Sequence, residues 1–155
     1  MSPTYPQSGG CSCRSVRYRL AGPPLTVYAC HCTDCQTLSG SAFGLSMPVS
    51  RDTFEIINGM PKAWHRVTPS GEAATVWFCG DCGVRLYSGR PTRPTRFNVR
   101  AGTLDDTSWL TPVGHIWTRS AQPWMRFGDD ALAFATQPED FQPFLDAWQR
   151  RLTGG

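Results

Sequence analysis

The sequence lacks any apolar run near the ~20 residues that cross a membrane, so no membrane helix is expected. It is also poor in charge. Asp, Glu, Lys and Arg make up 17% of it, against about 25% in a typical globular chain. That excludes a polyelectrolyte, and a 40% hydrophobic content excludes a disordered chain. The 15 Lys and Arg barely outnumber the 12 Asp and Glu, leaving a net charge of +3. The arginines read as spread along the chain, and together these facts argue against a nucleic-acid partner. They leave room for a modestly basic pocket for a small anion. Met1 to Pro6 show no basic n-region and no apolar h-region, so no signal peptide is expected and the expected compartment is the cytoplasm. No internal repeat, low-complexity tract or linker stands out. At 155 residues the chain is read as one domain, 1–155, with room for a core. An even set of cysteines is missing too. Seven cannot all pair as disulfides, and close pairs of thiols in a reducing compartment read first as metal ligands.

Breakers are plentiful, with 15 glycines and 13 prolines, so the segments between them are short. Val16, Tyr18 and Leu20 alternate with Arg17 and Arg19 at strand period. After Gly22-Pro23-Pro24, Leu25 to Ala29 reads as a returning strand. Phe43 to Val49 and Thr53 to Ile57 read as extended. Asn58-Gly59 signals a hairpin that would pair Ala63 to Val67 back. Ala74 to Phe78 reads as a strand running into Cys79, with weaker strands at Val84 to Tyr87, Arg96 to Arg100 and His115 to Thr118. Phe141, Phe144, Leu145, Trp148 and Leu152 fall at helical spacing, with Pro138 placed in the first turn and Glu139 and Asp140 behind it. Arg119 to Ala135 resists assignment. The pattern is mainly β with a short C-terminal helix.

The cysteines form three clusters: Cys11-Ser12-Cys13, Cys30-His31-Cys32-Thr33-Asp34-Cys35, and Cys79-Gly80-Asp81-Cys82-Gly83. A C-x-x-C turn places two sulfurs about one metal, and a closed structural zinc site needs four ligands. Cys79 and Cys82 supply two, and Cys11 and Cys13 are their natural complement. Cys30, Cys32 and Cys35 remain, packed within six residues. Three thiolates on one short loop hold a metal from one side and leave a fourth position for water, a histidine or a substrate. Three protein ligands with an exchangeable fourth is the plan of a catalytic zinc site. Two other readings stay open. His31, His65 or His115 could close the second site as a structural one, or the three thiols could be redox groups without metal. His115, beside Ile116 and Trp117, reads as a packed, hydrogen-bonded histidine.

These residues resemble the glutathione-dependent formaldehyde-activating family, also called the centromere-protein-V-like or GFA family. The resemblance rests on Gly10-Cys11-Ser12-Cys13, on Cys30 to Cys35 followed by Ser39 to Phe43, and on Phe78 to Gly83 with Leu86-Tyr87 behind. Gly102 to Asp106 and His115-Ile116-Trp117 support it. The resemblance implies a two-sheet β-tent zinc-binding fold. It implies one structural zinc on Cys11, Cys13, Cys79 and Cys82, and one catalytic zinc on Cys30, Cys32 and Cys35; a site of three thiolates with an open fourth position should hold its metal less firmly than the closed one. It implies a carbon–sulfur lyase working on a thiol–aldehyde adduct, such as S-hydroxymethylglutathione, with a small thiol such as glutathione as partner. Arg17, Arg19, Arg85, Arg96 and Arg100 are available to meet that partner's carboxylates. The alternatives are a non-catalytic β-tent zinc module acting through protein contacts, and a reductase. Nothing in the sequence fixes the oligomeric state.

Overall fold

The computed structural model describes residues 3–154. Its strands and α-helices run in the order β1 (Gln7–Gly10), β2 (Arg17–Leu20), β3 (Tyr28–Cys30), α1 (Thr33–Ser39), β4 (Gly44–Ser50), β5 (Phe54–Asn58), β6 (Lys62–Val67), β7 (Ala73–Phe78), β8 (Arg85–Gly89), β9 (Arg96–Arg100), β10 (Gly114–Ile116), β11 (Leu132–Ala133) and α2 (Gln142–Leu152). The strands form two sheets, one of three in the order β1-β2-β5 and one of eight in the order β11-β10-β3-β4-β9-β8-β7-β6. The chain is thus mainly β with a short C-terminal helix, as the sequence pattern implies, and it has the two sheets that the family resemblance implies. Among the described residues no helix is long and apolar enough to cross a membrane. The chain divides into two compact units, one from the N-terminus to Pro24 with Pro48–Trp109, the other Leu25–Met47 with the residues from Leu110 onward.

In the first unit the alternation along β2 does what its period demands. Tyr18 and Leu20 are fully buried, and Arg17 and Arg19 turn to Asp105 and Glu55. The Tyr18 hydroxyl pairs with Thr103 Oγ1 at 2.8 Å. A side chain at Gly9 would reach within 2.3 Å of that hydroxyl, which is why β1 carries glycine there. Phe54 on β5 packs on Tyr18, Tyr87 and Phe97, with ring centroids 5.3, 4.6 and 5.5 Å away. These aromatic contacts join β5 and β2 to β8 and β9.

Two expectations about pairing fail in the same way. Asn58-Gly59 does turn, with Gly59 at φ 75°, but β5 pairs with β2 and β6 pairs with β7. The turn packs against the β1–β2 connection instead, where Asn58 Nδ2 donates to the Ser15 carbonyl at 3.3 Å. The expected returning strand over Leu25 to Ala29 begins only at Tyr28, and it pairs with β4 and β10 rather than β2.

In the second unit β3 lies between β4, antiparallel, and β10, parallel, and β11 extends β10. Helix α2 buries Phe144 and Trp148. The Phe144 ring meets Tyr28, Phe134 and Phe141 at centroid distances of 5.7, 5.6 and 5.2 Å. Thr26 Oγ1 donates to the Phe144 carbonyl at 3.0 Å. The helix starts later than its pattern implies. Pro143, not Pro138, occupies the first turn, where its missing N–H costs nothing. The Asp140 carboxylate accepts the Gln142 amide at 2.8 Å. We expect Phe144→Ala to destabilise the protein by about 3–5 kcal/mol, read as a lowered denaturation midpoint with both cysteine sets intact.

Candidate metal centres

Cys11 and Cys13 lie in the turn between β1 and β2, and Cys79 and Cys82 in the turn between β7 and β8. The two turns share one hydrogen-bond plan. Cys11 N donates to Val16 O at 3.1 Å and Arg14 N to Cys11 O at 3.1 Å; Cys79 N donates to Val84 O and Gly83 N to Cys79 O, both at 2.9 Å. Each turn ends on a residue of positive φ, Arg14 at 64° and Gly83 at 76°. Glycine takes that conformation without strain, whereas Arg14 takes it against its Cβ.

The four sulfurs lie within 4.8 Å of one another. Cys11 and Cys13 are 3.6 Å apart and Cys13 and Cys79 3.7 Å. A tetrahedral ion with metal–sulfur bonds of about 2.3 Å needs sulfurs about 3.8 Å apart, whereas a disulfide needs about 2.05 Å. The spacing therefore fits a metal, and none of the seven cysteines is in a disulfide. The Ser15 hydroxyl lies 3.1 Å from Cys13 Sγ and 3.2 Å from Cys79 Sγ. That hydroxyl, with the Cys82 amide, holds the Cys79 thiol down at about 6, favouring the thiolate that binds metal.

The second set is built differently from the plain loop the spacing suggests. Cys30 ends β3 and is buried, Cys32 is the N-cap of α1, and Cys35 sits in its first turn. Cys32 Sγ accepts the Cys35 amide at 3.2 Å. The three sulfurs lie within 4.8 Å of one another, and among the described residues no histidine joins them. His31 points elsewhere, with its Nε2 2.9 Å from His115 Nδ1. His65 lies on β6 with its Nδ1 3.0 Å from Thr75 Oγ1. The hydrogen bonds of the Cys30 and Cys35 thiols pull the Cys32 thiol down to about 2, and hydrogen bonding to Cys32 and Cys35 pushes Cys30 up. Cys32 thus ionises before Cys30.

A polar clamp holds this segment. The His31 carbonyl accepts from Gln36 Nε2 and Ser120 Oγ, each at 2.9 Å. Gln36 Nε2 also reaches Ser120 O at 2.8 Å, and Gln122 Nε2 donates to Gln36 Oε1 at 2.8 Å. The His31 ring is fully buried among Phe43, Phe127 and His115. Burial, with the His115 ring beside it, depresses His31 to about 4, and burial depresses His115 as well. Both rings are neutral at neutral pH and share one proton across their hydrogen bond. Sequence reasoning missed Gln36, Ser120, Gln122 and Phe127. Three of them lie in the unassigned stretch from Arg119, and the one local hint was a glutamine directly after Cys35.

The arginines named as carboxylate partners lie in the four-cysteine unit. Arg17 pairs with Asp105 and Arg19 with Glu55, while Arg85 lies 5.8 Å over the Trp64 ring. Arg96 is exposed and Arg100 half-buried.

Gln36→Leu removes two bonds to carbonyl oxygens and strands the Gln122 amide. Outer partners of metal ligands are worth ~10–100-fold in metal affinity. We expect a loss of that size at the three-cysteine set alone, measured by competition with a chromophoric chelator. An unchanged affinity would show that the clamp does not set the ligand geometry.

Comparison with known proteins adds two findings. Residues 6–120 match the family model described as glutathione-dependent formaldehyde-activating enzyme. A crystal structure of a Rhodobacter sphaeroides protein superposes with a TM-score of 0.52 at 18% identity, covering 66% of this chain and 91% of that one. At that identity the likeness is one of fold.

Proposed function

The chain belongs to the glutathione-dependent formaldehyde-activating enzyme family, and from that membership we propose that it is a zinc-dependent carbon–sulfur lyase acting on a thiol–aldehyde adduct. S-Hydroxymethylglutathione, formed or cleaved, is the leading candidate. The observation that carries the reading is three converging thiols at one set, joined by no fourth His, Cys, Asp or Glu among the described residues, beside four converging thiols at the other. Cys11, Cys13, Cys79 and Cys82 would close a structural zinc. Cys30, Cys32 and Cys35 would hold a second zinc from one side.

Zinc at the second set would acidify a substrate thiol and polarise an aldehyde oxygen. In the synthetic direction the substrate sulfur bonds to the aldehyde carbon, the carbon–oxygen double bond becomes single, and the thiol proton ends on that oxygen. The reverse step breaks the carbon–sulfur bond and returns the proton to sulfur. The chain's own residues keep the geometry. Cys32 stays ionised, Gln36 and Ser120 grip the His31 carbonyl, and the neutral His31–His115 pair adds no cation to compete for the thiolates.

The test is exchange spectroscopy of labelled formaldehyde with glutathione and with a panel of other small thiols. We expect exchange well above the buffer rate, lost when a chelator strips the weaker metal and restored by zinc. If no thiol exchanges faster than in buffer, the non-catalytic zinc module is the better account.

A further inference from the structure

The four-cysteine unit also has a concave feature that contains no cysteine. It is a cavity of about 170 Å³ lined chiefly by Arg51, Arg90, Arg93, Arg96, Trp77 and Phe97. Four arginines of a set that reads as dispersed along the sequence meet here.

The local cause is a short repeat. Residues 90–96 read Arg-Pro-Thr-Arg-Pro-Thr-Arg, so an arginine recurs every third position. Arg93 N donates to Arg90 O at 3.0 Å and Arg96 N to Arg93 O at 3.2 Å, two successive turns of the same three-residue step. Pro91 and Pro94 fix φ in each step and stiffen the loop. Arg51 joins from the end of β4. Its amide donates to Thr95 O at 2.9 Å, its Nη1 to Pro94 O at 3.3 Å, and its guanidinium sits 4.7 Å over the Phe97 ring.

Glu72 meets this group, pairing with Arg90 and accepting from the Thr92 hydroxyl. Four guanidinium groups against that one carboxylate leave an excess as large as the net +3 of the whole chain. Such crowding costs folding energy through like-charge repulsion and concentrates field in a concave, partly apolar place. Beside the charges stands an aromatic wall. Trp77 stacks on Tyr87 at 4.8 Å and 11°, and Phe97 meets Trp77 edge-on at 5.6 Å. The volume is below the ~300–1,000 Å³ of sites for drug-sized ligands, so it suits an anionic head with a small organic part. The planar guanidinium fork matches a phosphate in bidentate fashion.

We propose that this cavity binds a small phosphate monoester, its oxyanion on Arg93, Arg96 and Arg51 and its organic part against Trp77 and Phe97. The proposal is independent of the chemistry assigned to the cysteines. The test titrates the zinc-loaded full chain with phenyl phosphate, inorganic phosphate, phenol and a single-stranded oligonucleotide, at fixed ionic strength, by calorimetry. Phenyl phosphate should bind about threefold or more tighter than inorganic phosphate through its ring contact, and phenol should not bind. Arg93→Gln with Arg96→Gln should weaken phenyl phosphate about tenfold or more. Both side chains are exposed, so the melting temperature without ligand should hold or rise. Arg93→Lys with Arg96→Lys keeps the charge, loses the fork and should also bind more weakly than the parent. Equal affinity for phenyl and inorganic phosphate, or unweakened binding by both double variants, would reduce the site to a diffuse ion atmosphere and overturn the proposal. An oligonucleotide whose affinity grows with length would overturn it in favour of a nucleic-acid surface.

Discussion

Cys79→Ser should abolish the folded state rather than weaken it. Cys13 and Cys79 are 66 residues apart in sequence, yet their sulfurs are 3.7 Å apart. A metal on the four sulfurs would tie the β1–β2 turn to the β7–β8 turn. Structural zinc contributes apparently ~10–16 kcal/mol of binding energy in small peptides, and that energy is folding energy. A typical domain has only about 5–15 kcal/mol in all. Even a fraction of the zinc term therefore decides whether the chain folds. Cys79 is also buried, and its thiol is the one that the Ser15 hydroxyl and the Cys82 amide hold ionised. The readouts are circular dichroism and bound zinc per chain. A folded variant with the parent's melting temperature would remove this set from its structural role.

Cys32→Ser and Cys35→Ser should do the opposite, leaving the fold and removing the chemistry. The three sulfurs span six residues, so a metal there closes no long loop and adds little to the fold. Protein bonds already hold the segment, through His31 N to Ile116 O at 3.0 Å and through the Gln36 and Ser120 contacts. Serine at position 32 is itself a preferred N-cap for α1, so stability should stay within about 1 kcal/mol. Bound zinc should fall from two per chain to one. Adduct exchange should fall by more than the ~10–100-fold that loss of an outer partner costs. If both variants unfold, the three-cysteine set belongs with the structural one, and the lyase reading loses its site.

The cysteine sets could be read in the sequence because their chemistry is written in local spacing. Strands β2 and β7 could be read because one face of each is buried and the alternation follows. The partners of strands could not be read. Asn58-Gly59 encodes a turn and carries no record of which strand comes next to which, so the hairpin inference failed although the turn is real. Helix α1 was hidden because seven residues with a cysteine cap give no periodicity. The clamp on His31 was hidden for a related reason. Gln36 meets Ser120 and Gln122 only once the fold brings residues more than eighty apart together. The arginine cavity shows a mixed case. The Arg-Pro-Thr step at residues 90–96 is too short to stand out as a repeat in the sequence, and the aromatic wall and Arg51 reach it only through the fold of β4, β7 and β9.

A sulfur-held substrate at the three-cysteine set is tested most directly by calorimetry of three ligands. Glutathione, S-methylglutathione and ophthalmic acid share both carboxylates and the peptide frame, but only glutathione presents a free thiol to a soft, thiolate-rich metal centre. Protein carrying two zinc ions should bind glutathione far more tightly than the other two, and protein stripped of the weaker zinc should lose that preference. Equal binding of all three to the fully loaded protein would mean that no sulfur–metal contact holds the ligand, and would contradict the mechanism.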